Sequence, residues 1–237
     1  MKLNKDKIQK VIDSIKNTEH FQQALTHTSY CNESNLGTSY ERLEFLGDRI
    51  LNFYASLFIY QNFPDFAEGK MSKLQQLMVK ESTLVELSKK IGLNRTDEKN
   101  KPIYLRLGEG ETKNQGINKN SILADIFESF VAALYLEKGG RTVYYFLKLT
   151  VFTWIKGKEN AIWDYKSYLQ EYCQEQRNKV NYRQKEVKRI KNNQLLFTVE
   201  VSDELETFRE EGKGHSKDEA EKKAAAKVIK NLKITKK

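Results

Sequence analysis

Glu41, Glu44 and Asp48 stand at i, i+3 and i+7 in the stretch YERLEFLGDRIL, residues 40–51. On a helix this spacing puts the three carboxylates on one face, with Leu43, Phe45 and Leu46 covering the other sides. A second stretch, ADIFES, sets Asp125 and Glu128 at i and i+3 among Leu123, Ile126, Phe127 and Phe130. Like charges so spaced disfavour an isolated helix by a few tenths of a kcal/mol per pair. Packed together, the two helices would bring Glu44, Asp48, Asp125 and Glu128 into one site, where four carboxylates stay ionised only beside a cation. That cation is either a base, such as Arg42 or Arg49, or a metal; spacing alone leaves both open. An all-oxygen ligand set suits Mg²⁺ or Mn²⁺ rather than zinc. Two such ions about 4 Å apart would activate water and stabilise the leaving oxygen of a phosphodiester.

The elements that position these acids follow from periodicity. Residues 3–16 read as an amphipathic helix, FQQALTHTSY as a short helix ending near Ser29, and 31–39 as a polar loop. Thr38-x-x-Glu41 fits a capping box, so the first acidic helix is expected to start near Thr38 or Ser39. It runs on through LNFYASLFIYQNF, apolar on nearly every side, which predicts burial in mid-domain. A helix over 70–91 follows, then a long loop over 94–118, the second acidic helix over 119–137, a break at Gly139-Gly140 and a helix over 141–156. His27, alone beside apolar residues, reads as a hydrogen-bonded structural group. After a linker at 157–163 the pattern changes: a helix at 164–177, a basic strand at 180–190, the alternating strand LLFTVEV, a third strand near 205–211, a turn at Gly212 and Gly214, and an Ala-rich helix capped by Ser216. The fold class expected is therefore an all-α domain over 1–156 followed by a small α-β-β-β-α domain over 164–237.

The net charge of +9 points to a polyanionic partner. Residues 177–191 alone carry seven bases against Glu186, a net +6, which reads either as a binding surface or as a solvated strand face. Cys31 and Cys173 follow no metal spacing and read as reduced thiols of a cytoplasmic protein. The N-terminal stretch lacks the apolar core of a secretory signal, and no run approaches the ~18–20 apolar residues of a membrane span, so no membrane partner is expected.

YERLEFLGDRIL resembles the signature of the ribonuclease III family, whose usual form reads NERLEFLGD. SILADIFESFVAALYL resembles that family's second acidic block, and ALTHTSY, FPDFAEGKMSK and LGEGE match in order and spacing. The resemblance implies that Glu44, Asp48, Asp125 and Glu128 bind Mg²⁺, with Mn²⁺ able to substitute, and that Asp48 and Glu128 are the acids most sensitive catalytically. It sets Glu41 closer to the subunit interface and the substrate, beside its capping role, and makes Glu68 and Glu111 supporting acids. It further implies a homodimer, with one site per subunit at the ends of a shared valley, that hydrolyses double-stranded RNA to 5′-phosphate and 3′-hydroxyl ends with short 3′ overhangs. Precursors of ribosomal RNA, structured messenger RNA and transfer RNA are the implied substrates, and no small-molecule cofactor is required.

The C-terminal domain resembles a double-stranded RNA-binding domain, which reads A-form shape across two minor grooves. By that resemblance Gln170 and Glu171 meet a minor groove, and Lys191, Asn192 and Asn193 replace the usual Gly-Pro-x-His loop. Ser216 and Lys217 offer a helix N-terminus to phosphate. Asp218 stands where a second lysine is common, and Lys213, Lys222 and Lys223 compensate. Other departures are Tyr40 for Asn, Arg49 for a small residue, Lys73 and Gln75 where two arginines are common, and Asn118 and Lys119 where basic pairs are common. Two rival classes are a non-catalytic double-stranded RNA-binding protein, which loss of a metal acid would favour, and a DNA-binding protein, for which no helix-turn-helix or zinc pattern is present.

Overall fold

The computed structural model describes residues 3–34, 37–156, 165–190 and 194–232, and the chain divides into two compact units, Met1–Ile162 and Trp163–Lys237. The expected linker at 157–163 and the expected contact residues Asn192 and Asn193 lie outside the described residues.

The first unit opens with α1 (Lys5–Asp13), whose Ile8, Val11 and Ile12 are buried. It is shorter than the 3–16 expected. Thr18 caps α2 (Glu19–Ala24) by accepting from the Phe21 amide. Next, α3 (Thr28–Ser34) extends into the segment expected to be loop. Residues 31–34 contain neither Gly nor Pro, and the Ser34 hydroxyl donates to the Tyr30 carbonyl, closing the last turn. The first acidic helix, α4, spans Glu41–Asn62 with Tyr40 as an N-cap that makes no side-chain cap bond. The expected capping box is therefore not formed: Ser39 donates its hydroxyl to the Glu41 carboxylate instead.

The single helix expected over 70–91 is two helices, α5 (Glu68–Val79) and α6 (Glu81–Ile91), parted at Lys80 in extended backbone (φ −64°, ψ 148°). The Thr83 hydroxyl takes the Leu77 carbonyl at 2.8 Å, which satisfies a backbone acceptor that the break would orphan. A loop leads to α7 (Glu109–Lys113) and a 3₁₀ turn at Gly116–Asn118. Then α8 (Asn120–Leu149) runs through a kink at Gly139, where φ 72° and ψ 175° need a glycine, and α9 (Val151–Ile155) ends the unit.

At the centre lies α8, with Phe127, Phe130 and Phe146 fully buried. The burial predicted for α4 holds only on its inner side. Phe45, Phe53 and Tyr60 are 68%, 61% and 73% exposed. At 100° per residue they share one arc with Arg49 and Ser56, so α4 presents an apolar stripe outward.

The second unit comprises α10 (Tyr165–Glu175), β1 (Val180–Arg189), β2 (Leu195–Asp203), β3 (Arg209–Gly214) and α11 (Lys217–Asn231). The strands form an antiparallel sheet in the order β1-β2-β3, with a register shift between Gln184 and Glu186. On β2, Val199 and Val201 are buried; Val201 packs with Leu169, Ala224, Ala225 and Val228 of the two helices. Gly212 and Gly214 belong to β3 rather than to a turn. A Cβ on Gly212 would lie 2.0 Å from the Ala220 carbonyl oxygen, so glycine there lets α11 lie directly on the strand. The observed order is the expected α-β-β-β-α.

Candidate active site

A glycine between the acids lets α4 approach α8 closely. A Cβ on Gly47 would stand 1.8 Å from the Glu128 carbonyl oxygen. Glycine within a helix costs about 1 kcal/mol relative to Ala, and here it allows the two acidic segments to meet. Glu44 and Asp48, which flank Gly47, thereby come to share a field with Asp125 and Glu128.

The electrostatics register this convergence. Burial pushes the Glu128 carboxyl up to about 8, reinforced by Asp48, Glu44 and Asp125 and opposed by Arg49. Burial also raises Glu44, with added repulsion from Asp125, Glu41 and Asp48. Asp125 is raised by burial, while a hydrogen bond from Tyr40 and the charge of His27 oppose the shift. The four expected acids therefore act on one another, on half-buried positions, with Arg49 as the base beside them. Among the described residues, no three His, Cys, Asp or Glu side chains are gathered to hold an ion as they stand. Two of the four acids instead have other partners. Asp48 Oδ1 accepts from Asn52 Nδ2 at 2.7 Å, and Oδ2 pairs with Arg49 at 2.8 Å. Asp125 Oδ2 accepts from the Tyr40 hydroxyl at 3.0 Å. An all-carboxylate donor set that repels itself is chemically fitted to a hard divalent cation.

The remaining expected acids lie around this group. Glu41 reaches its edge, raising Glu44, but is exposed. Glu111 is mostly buried, paired with Lys119 at 3.6 Å, and acts on His27 rather than on the four acids. Glu68 is exposed and accepts from the Ser72 hydroxyl at 2.7 Å, with no resolved influence on the four. His27 is structural, as expected: its Nδ1 accepts from the Ser29 amide and stands 2.8 Å from Ser29 Oγ, which accepts from the Gly108 amide. Burial lowers its pKa, and its bonds with Ser29 tie it to the loop that leads to Glu111.

Sequence reasoning missed four contributors. Tyr40 was noted only as a departure, yet it is buried and holds Asp125. Gly47 carried a readable signal, a glycine inside a strong helical pattern. Asn52 carried none, and Gln75 only its place among the departures, since Gln75 meets Asn52 only across two helices: Gln75 Nε2 donates to Asn52 Oδ1 at 3.0 Å.

In the second unit, Gln170 and Glu171 are exposed on α10. Ser216 caps α11 by accepting from the Glu219 amide at 3.1 Å. Lys213, Lys217, Lys222 and Lys223 are exposed; Lys222 pairs with Asp218, and Lys223 with Glu219 at 2.6 Å. The basic run is partly compensated along the sheet, where Lys185 meets Glu200 at 3.0 Å and Lys188 meets Glu186 at 2.9 Å.

Fold and site thus define a helical, carboxylate-centred unit followed by an α-β-β-β-α unit with a basic, capped helix. Residues 17–155 match the ribonuclease-III-like family model, and residues 165–232 match the double-stranded RNA binding motif. The chain belongs to the ribonuclease III family. It is 39% identical over 223 residues to ribonuclease 3 of Mesoplasma florum, covering 92% of this chain and 93% of that one. It is 40% identical to ribonuclease 3 of Spiroplasma citri, covering 92% and 86%. Among solved structures it resembles the nuclease domain of ribonuclease III from Campylobacter jejuni, a domain with a region involved in dimer formation. There the TM-score is 0.51 at 29% identity, covering 60% of this chain and 94% of that one.

Proposed function

We infer that this enzyme, an endoribonuclease of double-stranded RNA, cuts at the carboxylate group formed by Glu44, Asp48, Asp125 and Glu128, and that it does so with Mg²⁺. The observation that supports this reading is the coupling of those acids: burial and three neighbouring carboxylates hold Glu128 near 8, a condition relieved by a bound divalent cation. When bound there, the ion supplies an acidified water and charge stabilisation for the phosphodiester. The chain's own residues define the setting. Asp48 and Glu128 lie on the two helices that meet at the Gly47 contact, and Tyr40 holds Asp125. The buried helices around them limit water access and so strengthen each charge. Glu41, Glu68 and Glu111 take outer roles.

The second unit holds the duplex through Gln170, Glu171, Lys213, Ser216, Lys217, Lys222 and Lys223. The outward stripe of Phe45, Phe53 and Tyr60 supports a homodimer, because a monomer would leave those rings in water. Both cysteines are free thiols, which supports a cytoplasmic setting. Among the described residues no helix is long and apolar enough to cross a membrane. Ribosomal, messenger and transfer RNA precursors are the substrates proposed, with 5′-phosphate and 3′-hydroxyl products.

The test is cleavage of a duplex RNA with and without Mg²⁺, with end-group analysis, for the wild type, Glu128→Gln and Asp48→Asn. Each variant is expected to lose roughly a thousand-fold or more in rate, about 4 kcal/mol of barrier, while duplex binding persists. Normal cleavage by either variant would remove that acid from the site.

A further inference from the structure

Resting on the reading of Asp48 as a metal ligand, we propose that Asn52 and Gln75 are positioning residues that form a two-amide relay fixing the Asp48 carboxylate for the ion. The geometry is directional. Gln75 Nε2, on α5, donates to Asn52 Oδ1 at 3.0 Å and also approaches the Asn52 carbonyl at 3.4 Å. Asn52 Nδ2, on α4, donates to Asp48 Oδ1 at 2.7 Å and to the Asp48 carbonyl at 2.8 Å.

A carboxamide has a donor end and an acceptor end. Because Gln75 offers Asn52 a donor, the Asn52 oxygen turns to α5 and its NH₂ turns to Asp48. The Asp48 oxygens already disfavour the flipped amide, which would set an oxygen against the carboxylate; the Gln75 bond adds to that preference and anchors the acceptor end of Asn52 on α5. The relay holds Oδ1 and leaves Oδ2 as the oxygen that changes partners. That oxygen now pairs with Arg49, whose side chain also lies over the Phe45 ring at 5.5 Å. Hydrogen bonds behind a ligand fix its orientation, and their loss typically weakens metal binding by roughly 10–100-fold. Gln75 thus acts on the ion through Asn52 and Asp48, without meeting it.

The experiment measures Mn²⁺ binding to the full chain, without RNA, by the spectroscopic signal of free Mn²⁺. It compares wild type, Asn52→Leu, Gln75→Met and the double variant, each near-isosteric with the residue replaced. Asn52→Leu is expected to weaken Mn²⁺ by roughly 10-fold and Gln75→Met by several-fold. The double variant should stay within about two-fold of Asn52→Leu, because two links in series are lost only once. Melting temperature should be little changed for Gln75→Met, which sits half-buried beside an open cleft with Ser56, Tyr60 and Met71. If Asn52→Leu does not fold, Gln75→Met alone decides. The proposal is overturned if Gln75→Met binds Mn²⁺ within two-fold of wild type, or if the two effects multiply. If Asp48→Asn binds Mn²⁺ as the wild type does, the metal site itself is misassigned and the relay falls with it.

Discussion

The carboxylates of the two units are displaced in opposite directions. In the first unit Glu128, Glu44 and Asp125 are raised, burial leading in each case and neighbouring acids adding to it for Glu128 and Glu44. In the second, Glu200 is lowered by its bond with Lys185, and Glu219 by its bonds with Lys223 and the His215 amide. Burial pushes Asp203 up, but hydrogen bonds from Thr207, the Phe208 amide and Asn178 outweigh it and hold it low. The same side-chain chemistry is therefore held under mutual repulsion and burial around Glu128, and matched by hydrogen bonds and bases in the second unit. A site for chemistry keeps its field concentrated in a few residues; a surface for grip spreads charge over many weak pairs.

The sharpest way to break this contrast is to force the acidic helices apart. Gly47→Ala places a methyl group against backbone that cannot yield, with an expected loss of about 1–3 kcal/mol in stability. Cleavage should fall further than the folded fraction explains. Unchanged cleavage at matched folded fraction would show that the close approach does not set the site.

A smaller effect lies in the pH response of the metal-free protein. A carboxyl raised in the folded state stabilises below its unfolded value, ordinarily 4.5, and that contribution is lost as pH rises through about 8 for Glu128. The lowered Glu200, Glu219 and Asp203 contribute above their unfolded values and lose that contribution as pH falls through their folded ones. The first unit should therefore lose stability between pH 5 and 9 while the second does not. Glu128→Gln should flatten the slope, as should a saturating divalent ion. Melting of the chelator-treated chain across that range reads it; parallel slopes in the two units would refute the opposition.

The smallest effects belong to the basic surface. Lys217→Ala and Lys223→Ala are each expected to weaken duplex binding less than about three-fold, with a drop of about one in the salt slope. Lys223 should matter less, being paired with Glu219 at 2.6 Å while Lys217 stands 4.0 Å from Glu221. Gel shifts at two salt concentrations decide it, and a loss of ten-fold or more from Lys223 would make the surface as concentrated as the acidic site.

Much of this arrangement was legible in the amino-acid sequence. Both acidic blocks fall on helices because their apolar neighbours keep a helical period, and the order of the second unit follows from strict alternation in LLFTVEV and the Ser216 cap. What the sequence hid was tertiary. Lys80 carries no breaking signal; the Thr83 hydroxyl bond to Leu77 makes the break tolerable. Thr38-x-x-Glu41 looked like a cap, but Tyr40 begins the helix and its hydroxyl serves Asp125 instead. The apolar residues of α4 suggested a buried rod, because hydropathy does not distinguish a core from an outward stripe. The Asn52–Gln75 bond joins residues 23 apart in the chain, with no local pattern to announce it.

The first strand of the sheet has one further consequence. β1 lies at an edge, with Arg183, Lys185, Lys188 and Arg189 along it and its register interrupted at Lys185. An open edge is a template onto which any extended peptide can add, and self-addition leads to aggregates. Here an identical strand would bring like charges side by side and meet a ladder already out of step. The run of bases thus disfavours self-addition at this edge, whatever it contributes to holding a nucleic acid.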